Sequence, residues 1–78
     1  MNGNYSLGRR IAYLRQQRGW TQEALSFESG VSKTYIGDLE MGRRNPTLGL
    51  LGRLAEAFEI DLATLLKGVD IHSPRPKT

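Results

Sequence analysis

Cysteine is absent from the 78-residue sequence, and histidine occurs once, at position 72. No disulfide or thiolate site can therefore form, and a lone His72 cannot supply the ligand set of zinc, so no metal and no other cofactor is expected. Long apolar runs are missing too: none approaches the ~20 residues that span a bilayer, and the opening MNGNYSLGRR has no apolar signal-peptide core. The expectation is a soluble, cytoplasmic protein without a membrane partner. Alternating runs of Val, Ile and Thr do not occur either, which argues against strands. At this length there is room for one domain, whose core rarely contributes more than ~3 to 5 kcal/mol, so a stabilising partner subunit fits.

The net charge is only +3, from 11 basic and 8 acidic residues. Its distribution says more than its total. In residues 1 to 44 seven basic residues (Arg9, Arg10, Arg15, Arg18, Lys33, Arg43, Arg44) face four acidic ones (Glu23, Glu28, Asp38, Glu40). In residues 45 to 68 the sign reverses, with Arg53 and Lys67 against Glu56, Glu59 and Asp61. A basic front and a mildly acidic back can be read from this, or simply a solvated surface.

Apolar residues recur at helical spacing almost throughout, which predicts an all-α fold of five helices. The first starts with Ser6 as N-cap, carries Leu7, Ile11 and Leu14 on one stripe with Arg15 and Arg18, and ends at Gly19. Thr21 caps a second helix over 22 to 28, with Ala24 and Leu25 inward and Glu23 near the positive helix end. Gly30 turns the chain, and Ser32 caps a third helix in which Ile36 and Leu39 point inward while Lys33, Thr34, Tyr35 and Asp38 occupy other faces. Pro46 excludes helix from the basic loop Arg43-Arg44-Asn45-Pro46. Thr47 caps a fourth helix with the stripe Leu51, Leu54, Ala55 and Phe58, and Asp61 caps a fifth that holds Leu62, Leu65 and Leu66 and stops at Gly68. The domain is thus predicted over residues 1–68, with its core in 6–67, followed by a flexible tail over 69–78.

Two short helices joined by a tight turn need small residues at the turn and apolar residues locking the pair together. Leu25, Gly30, Val31, Ile36 and Leu39 stand at those positions, with Ser26 at the close helix contact. The stretch WTQEALSFESGVSKTYIGDLEMGRRNPTL resembles the lambda-repressor-like, Cro/C1-type (XRE) helix-turn-helix family, which includes phage repressors and restriction-modification controller proteins. The likeness covers about residues 7 to 67, and its parts occur in register: the Thr-Gln pair, the Gly-Val turn, the Ile-x-x-Leu-Glu run and the Gly-Arg-Arg-Asn-Pro loop.

The resemblance implies a compact five-helix DNA-binding domain with the helix-turn-helix at its second and third helices. It implies a transcriptional regulator that binds double-stranded DNA as a homodimer on a pseudo-palindromic operator, with recognition helix 32–40 in the major groove. Residue by residue, Lys33, Thr34 and Asp38 match base-contacting positions, and Lys33 has the chemistry to donate to guanine O6 and N7. Asp38 either accepts from cytosine N4, orients Lys33 or an arginine, or is a solvated acid. Gln22 matches a phosphate-contacting glutamine that steadies the first reading side chain. Ser32, Arg43 and Arg44 fall at phosphate contacts, as does Tyr35 unless its ring meets a thymine methyl or packs against the protein. Arg15 and Glu40 match an ion pair that ties the first helix to the end of the third.

Departures stand beside the likeness. Ser26 replaces the usual alanine with a hydroxyl that needs a partner. Gly37, Gly49 and Gly52 fall inside predicted helices, where each costs roughly 1 kcal/mol relative to alanine. Leu50, Ile60, Leu62, Leu65, Leu66 and Val69 exceed what one small core can cover, which predicts a dimer interface on the last two helices. Two other function classes stand against this one, and an enzyme is not expected. Asp70, His72 and Ser73 are the only grouping that suggests an enzyme, and nothing in a flexible tail holds nucleophile and base in place. A protein-docking module, for a polymerase subunit or a toxin, is compatible with the same fold.

Overall fold

In a computed structural model, residues 3–69 are described, and they form five helices with no strand among them. These are α1 (Gly3–Gln17), α2 (Gln22–Ser29), α3 (Lys33–Glu40), α4 (Leu48–Phe58) and α5 (Leu62–Leu65). Four of them begin at side-chain caps visible in the sequence. Thr21 Oγ1 accepts from the Ala24 amide at 3.0 Å, Ser32 Oγ from Tyr35 at 3.1 Å, Thr47 Oγ1 from Leu50 at 3.1 Å and Asp61 Oδ1 from Thr64 at 2.8 Å. Each satisfies an amide that the first helical turn leaves without a partner.

The turn between α2 and α3 is set by two residues. Gly30 sits at φ 74° and donates to the Ser26 carbonyl at 2.9 Å, a left-handed cap that L side chains resist. Ser29 accepts from the Val31 amide at 3.1 Å while donating to the Leu25 carbonyl at 2.7 Å. Val31 then enters the core directly after the turn.

Leu7, Ile11, Leu25, Val31, Ile36, Leu39, Leu51, Leu54, Ala55, Phe58 and Leu65 make that core. Full burial of a side chain of this size stabilises by ~1.5 to 3 kcal/mol relative to exposure. Trp20 stacks on Phe58, with ring centroids 5.7 Å apart, and closes the end of the core beyond α1. At Gly8, α1 crosses α3 so closely that a Cβ would lie 2.2 Å from the Leu39 carbonyl oxygen.

Three expectations need correction. α1 starts at Gly3, and Ser6 lies inside it rather than capping it. Its first turn is supported where Tyr5 lies against Gly42, so closely that a Cβ added there would lie 3.0 Å from the Tyr5 Cα, and where Arg9 donates to the Tyr5 hydroxyl at 3.1 Å. Leu65, expected at a subunit surface, is 0% exposed, because it is the residue through which α5 closes the core. Val69, expected in the flexible tail, is half-buried and packs against the core together with Leu50, Ile60, Leu62 and Leu66. The remaining tail, with Asp70, His72 and Ser73, lies outside the described residues.

Candidate nucleic-acid interface

α3 divides into two faces. Ile36, Leu39 and Glu40 are buried, while Lys33 and Thr34 in its first turn are exposed beside the exposed cap Ser32. The helix is ~12 Å long at ~1.5 Å per residue, and an α-helix ~10 to 12 Å in diameter matches the ~12 Å width of the DNA major groove.

A buried polar group fixes the inner end of this helix. Arg15 Nε donates to Glu40 Oε2 at 2.7 Å and Arg15 Nη2 to Glu40 Oε1 at 3.1 Å, a two-pronged pair whose side chains are 14% and 7% exposed. Arg15 Nη1 donates further to the Trp20 carbonyl at 2.7 Å, and Gln22 Nε2 to Glu40 Oε1 at 3.0 Å. One carboxylate at the end of α3 is thereby held from α1 and from the start of α2. The two residues expected as an ion pair do meet, and Gln22, expected at a phosphate, is half-buried with its amide engaged on that carboxylate. Gly37 leaves room beside it, a Cβ there lying 3.5 Å from Gln22 Oε1.

The loop after α3 supplies two further exposed cations. Arg43 and Arg44 stand 3.7 and 3.5 Å from opposite oxygens of Asp38, and the Arg44 guanidinium lies 5.2 Å from the centre of the half-buried Tyr35 ring. Lys33, Thr34, Asp38, Tyr35, Arg43 and Arg44 therefore occur on α3 and the loop that follows it, with Ser32 at their edge.

The broader basic front read from the charge distribution is narrower in the structure, because several arginines serve helix ends. Arg10 donates to the Leu65 and Thr64 carbonyls at 3.0 and 2.7 Å. Arg18 donates to the Phe58 carbonyl and lies over the Trp20 and Phe58 rings. Arg53, from the acidic back, does the same: it donates to the Gly30 carbonyl at 2.7 Å, which ties α4 to the turn between α2 and α3. Each cation meets carbonyls at a helix C-terminus, the end where the helix dipole favours positive charge. Sequence reasoning missed Arg10 and Arg53 as supports because nothing in their local spacing marks a carbonyl that arrives 55 or 23 residues away.

Among the described residues no group of His, Cys, Asp and Glu is placed to hold a metal ion, and no helix is long and apolar enough to cross a membrane.

Comparison with known proteins places this geometry. A family model described as helix-turn-helix matches residues 11–65. The chain is 41% identical over 64 residues to y4dJ of Sinorhizobium fredii, an HTH-type transcriptional regulator named as uncharacterised, covering 82% of this chain and 83% of that one. Its structure is similar to the restriction-modification controller protein C.AhdI from Aeromonas hydrophila, with a TM-score of 0.77 and 37% identity over 80% of this chain and 94% of the other. It is also similar to the controller protein C.Esp1396I, solved as a tetramer in complex with its natural 35 base-pair operator, with a TM-score of 0.80 and 25% identity over 88% and 91% of the two chains. Six further curated regulators are longer, the chain spanning between 32% and 59% of their length, whereas it spans 77% of YazB from Bacillus subtilis.

Proposed function

The chain belongs to the helix-turn-helix family, of the Cro/C1 type, and from that premise we propose that it is a transcriptional regulator that binds double-stranded DNA by sequence, without catalysis, at the nucleoid in the cytoplasm. The observation that carries the reading is the exposed first turn of α3, with Lys33 and Thr34 outward, on a helix whose far end is locked by Arg15, Gln22 and Glu40. A rigid support is what base reading requires, since hydrogen bonds to base edges discriminate only when donor and acceptor are held in place. In this reading Lys33, Thr34 and Asp38 face base edges, while Gln22, Ser32, Tyr35, Arg43 and Arg44 meet phosphates.

The regulator acts as a homodimer on a pseudo-palindromic operator, with recognition helices about 34 Å apart. Support comes from the half-buried Leu50, Ile60, Leu62, Leu66 and Val69, and from an open groove of about 430 Å³ along α4 lined by Gly49, Gly52, Ile60 and Leu62 among others. Leu65 has no part in it. Binding-site selection from a random duplex library, followed by gel shift against random competitor, tests the reading. A recovered sequence with two related half-sites and retention against competitor is expected, and equal competition by any DNA overturns it. Sedimentation that shows monomer only at high concentration, with a single half-site selected, overturns the dimer.

A second reading, protein docking beside DNA binding, is favoured by Phe27, which is 85% exposed on α2 with Glu23 and Glu28 near it in sequence. Absence of any DNA shift in the same experiment would leave that role alone.

A further inference from the structure

Base reading alone does not require the charge arrangement around Asp38. Its Oδ1 lies 3.7 Å from Arg43 Nη1 and its Oδ2 3.5 Å from Arg44 Nη2. The Arg43 amide donates to the Asp38 carbonyl at 2.9 Å, which pins the loop back against the helix, and the Tyr35 ring lies under the Arg44 guanidinium. One carboxylate on the outer face of α3 thus faces two guanidiniums. Its side chain is 30% exposed while theirs are 66% and 50% exposed, so all three groups remain open to an incoming ligand.

Resting on the DNA-binding reading, we propose that Asp38 determines specificity through Arg43 and Arg44, by competing with DNA phosphates for their guanidiniums. When phosphates take both loop arginines, Asp38 is left as an uncompensated negative charge beside the duplex, within the ~8 Å over which charges still feel one another at physiological salt. Mixed-sequence DNA meets that opposition without relief. A site that offers the released carboxylate a donor, such as a cytosine N4 amino group in the major groove, offsets it. Asp38 therefore weakens binding to every sequence and weakens it least at the right one.

The test measures affinity by fluorescence anisotropy for a labelled mixed-sequence 30-base-pair duplex and for the duplex recovered by selection, over a series of salt concentrations. The proteins compared are the full chain, Asp38→Asn, Arg43→Ala/Arg44→Ala, and the triple variant. Asp38→Asn keeps the shape of an exposed side chain, and thermal melts verify that every variant folds. On mixed-sequence DNA, Asp38→Asn is expected to bind on the order of fivefold tighter per subunit at 0.15 M salt, with log affinity falling more steeply against log salt by about 0.9, as one more cation becomes available to phosphates. On the selected duplex the gain is smaller, so the ratio of the two affinities falls. In the Arg43→Ala/Arg44→Ala background the gain on mixed-sequence DNA shrinks to about twofold or less, because no competition remains and screening weakens the residual repulsion.

An equal gain in both backgrounds means that Asp38 acts only as a general negative charge, and no gain in the full chain means that it does not oppose DNA at all. Either result overturns the proposal while DNA binding stands. If the unaltered chain binds neither duplex, the DNA-binding reading falls and the proposal falls with it.

Discussion

Gly8 lies against the backbone of Leu39: a Cβ at position 8 would stand 2.2 Å from the Leu39 carbonyl oxygen and 2.8 Å from that of Glu40. The neighbours are main-chain atoms of α3, so no side chain can rotate away. Gly8→Ala must push α1 off α3, and overpacking of this kind typically costs ~1 to 3 kcal/mol. A domain of this size should then lose roughly 4 to 24 °C in Tm, read by circular dichroism at 222 nm. A Tm within a degree of the unaltered chain would mean that the helices do not cross this closely in solution.

Removing one member of the Arg15–Glu40 pair leaves the other charge buried without its partner, which is expected to cost ~3 to 5 kcal/mol. Arg15→Ala and Glu40→Ala should each lower the midpoint of urea unfolding, while the double variant should lose less than the sum of the two. Strict additivity would show that the side chains act independently. Gln22→Ala is expected to cost less, since it removes only one of the three hydrogen bonds to Glu40 and leaves the charge paired.

Reading and anchoring should separate under mutation. Lys33→Ala and Thr34→Ala are each expected to lose ~1 to 3 kcal/mol on the selected operator and much less on random DNA. Arg43→Ala and Arg44→Ala are expected to weaken binding to both DNAs, and each lost phosphate contact lowers the slope of log affinity against log salt by about 1 per subunit. The deciding quantity is the operator-to-random affinity ratio at one salt concentration. Were it indifferent to Lys33 and Thr34, α3 would not be the reader.

Asp61 carries a pH signature. The Thr64 side-chain hydrogen bond, and then the Thr64 amide, hold its carboxyl below the usual carboxylate value, with burial opposing weakly. A carboxyl lowered in the folded state favours folding above the unfolded value of ~3.9, and that contribution is lost as pH falls through the lower folded value. Asp61→Asn retains a cap acceptor but does not titrate. Its Tm should therefore fall less than that of the unaltered chain between pH 5 and pH 3, and parallel decreases would remove Asp61 from the acid response.

What could be read in the sequence was what local chemistry determines. Thr21, Ser32, Thr47 and Asp61 announce helix starts because a capping oxygen needs an amide only three residues on. Gly30 announces its turn, and the stripe of α4 locates its buried face, because both follow from backbone conformation and helical period. Arg10 and Arg53 looked like surface charge, since the carbonyls they reach come from distant segments. Gly8 gave no sign at all, because a close crossing depends on which helix arrives opposite. Leu65 was misplaced for a related reason. Leu62, Leu65 and Leu66 are all apolar and adjacent, and only the docking of α5 decides that Leu65 alone is fully buried.

α5 is four residues long, far below the length at which a helix persists in water by itself. It holds its place through the burial of Leu65 and the two bonds from Arg10 to the carbonyls of Leu65 and Thr64. The amide hydrogens of Leu65 and, just beyond the helix, of Leu66 and Val69 are therefore expected to exchange with solvent through a local opening that leaves α1 to α4 intact, at a lower free energy than global unfolding. Leu62 and Leu66 belong to the same segment, so a second subunit that covers them slows exchange there first. Deuterium uptake in this segment, followed across protein concentration, thus reports subunit pairing with no DNA in the sample.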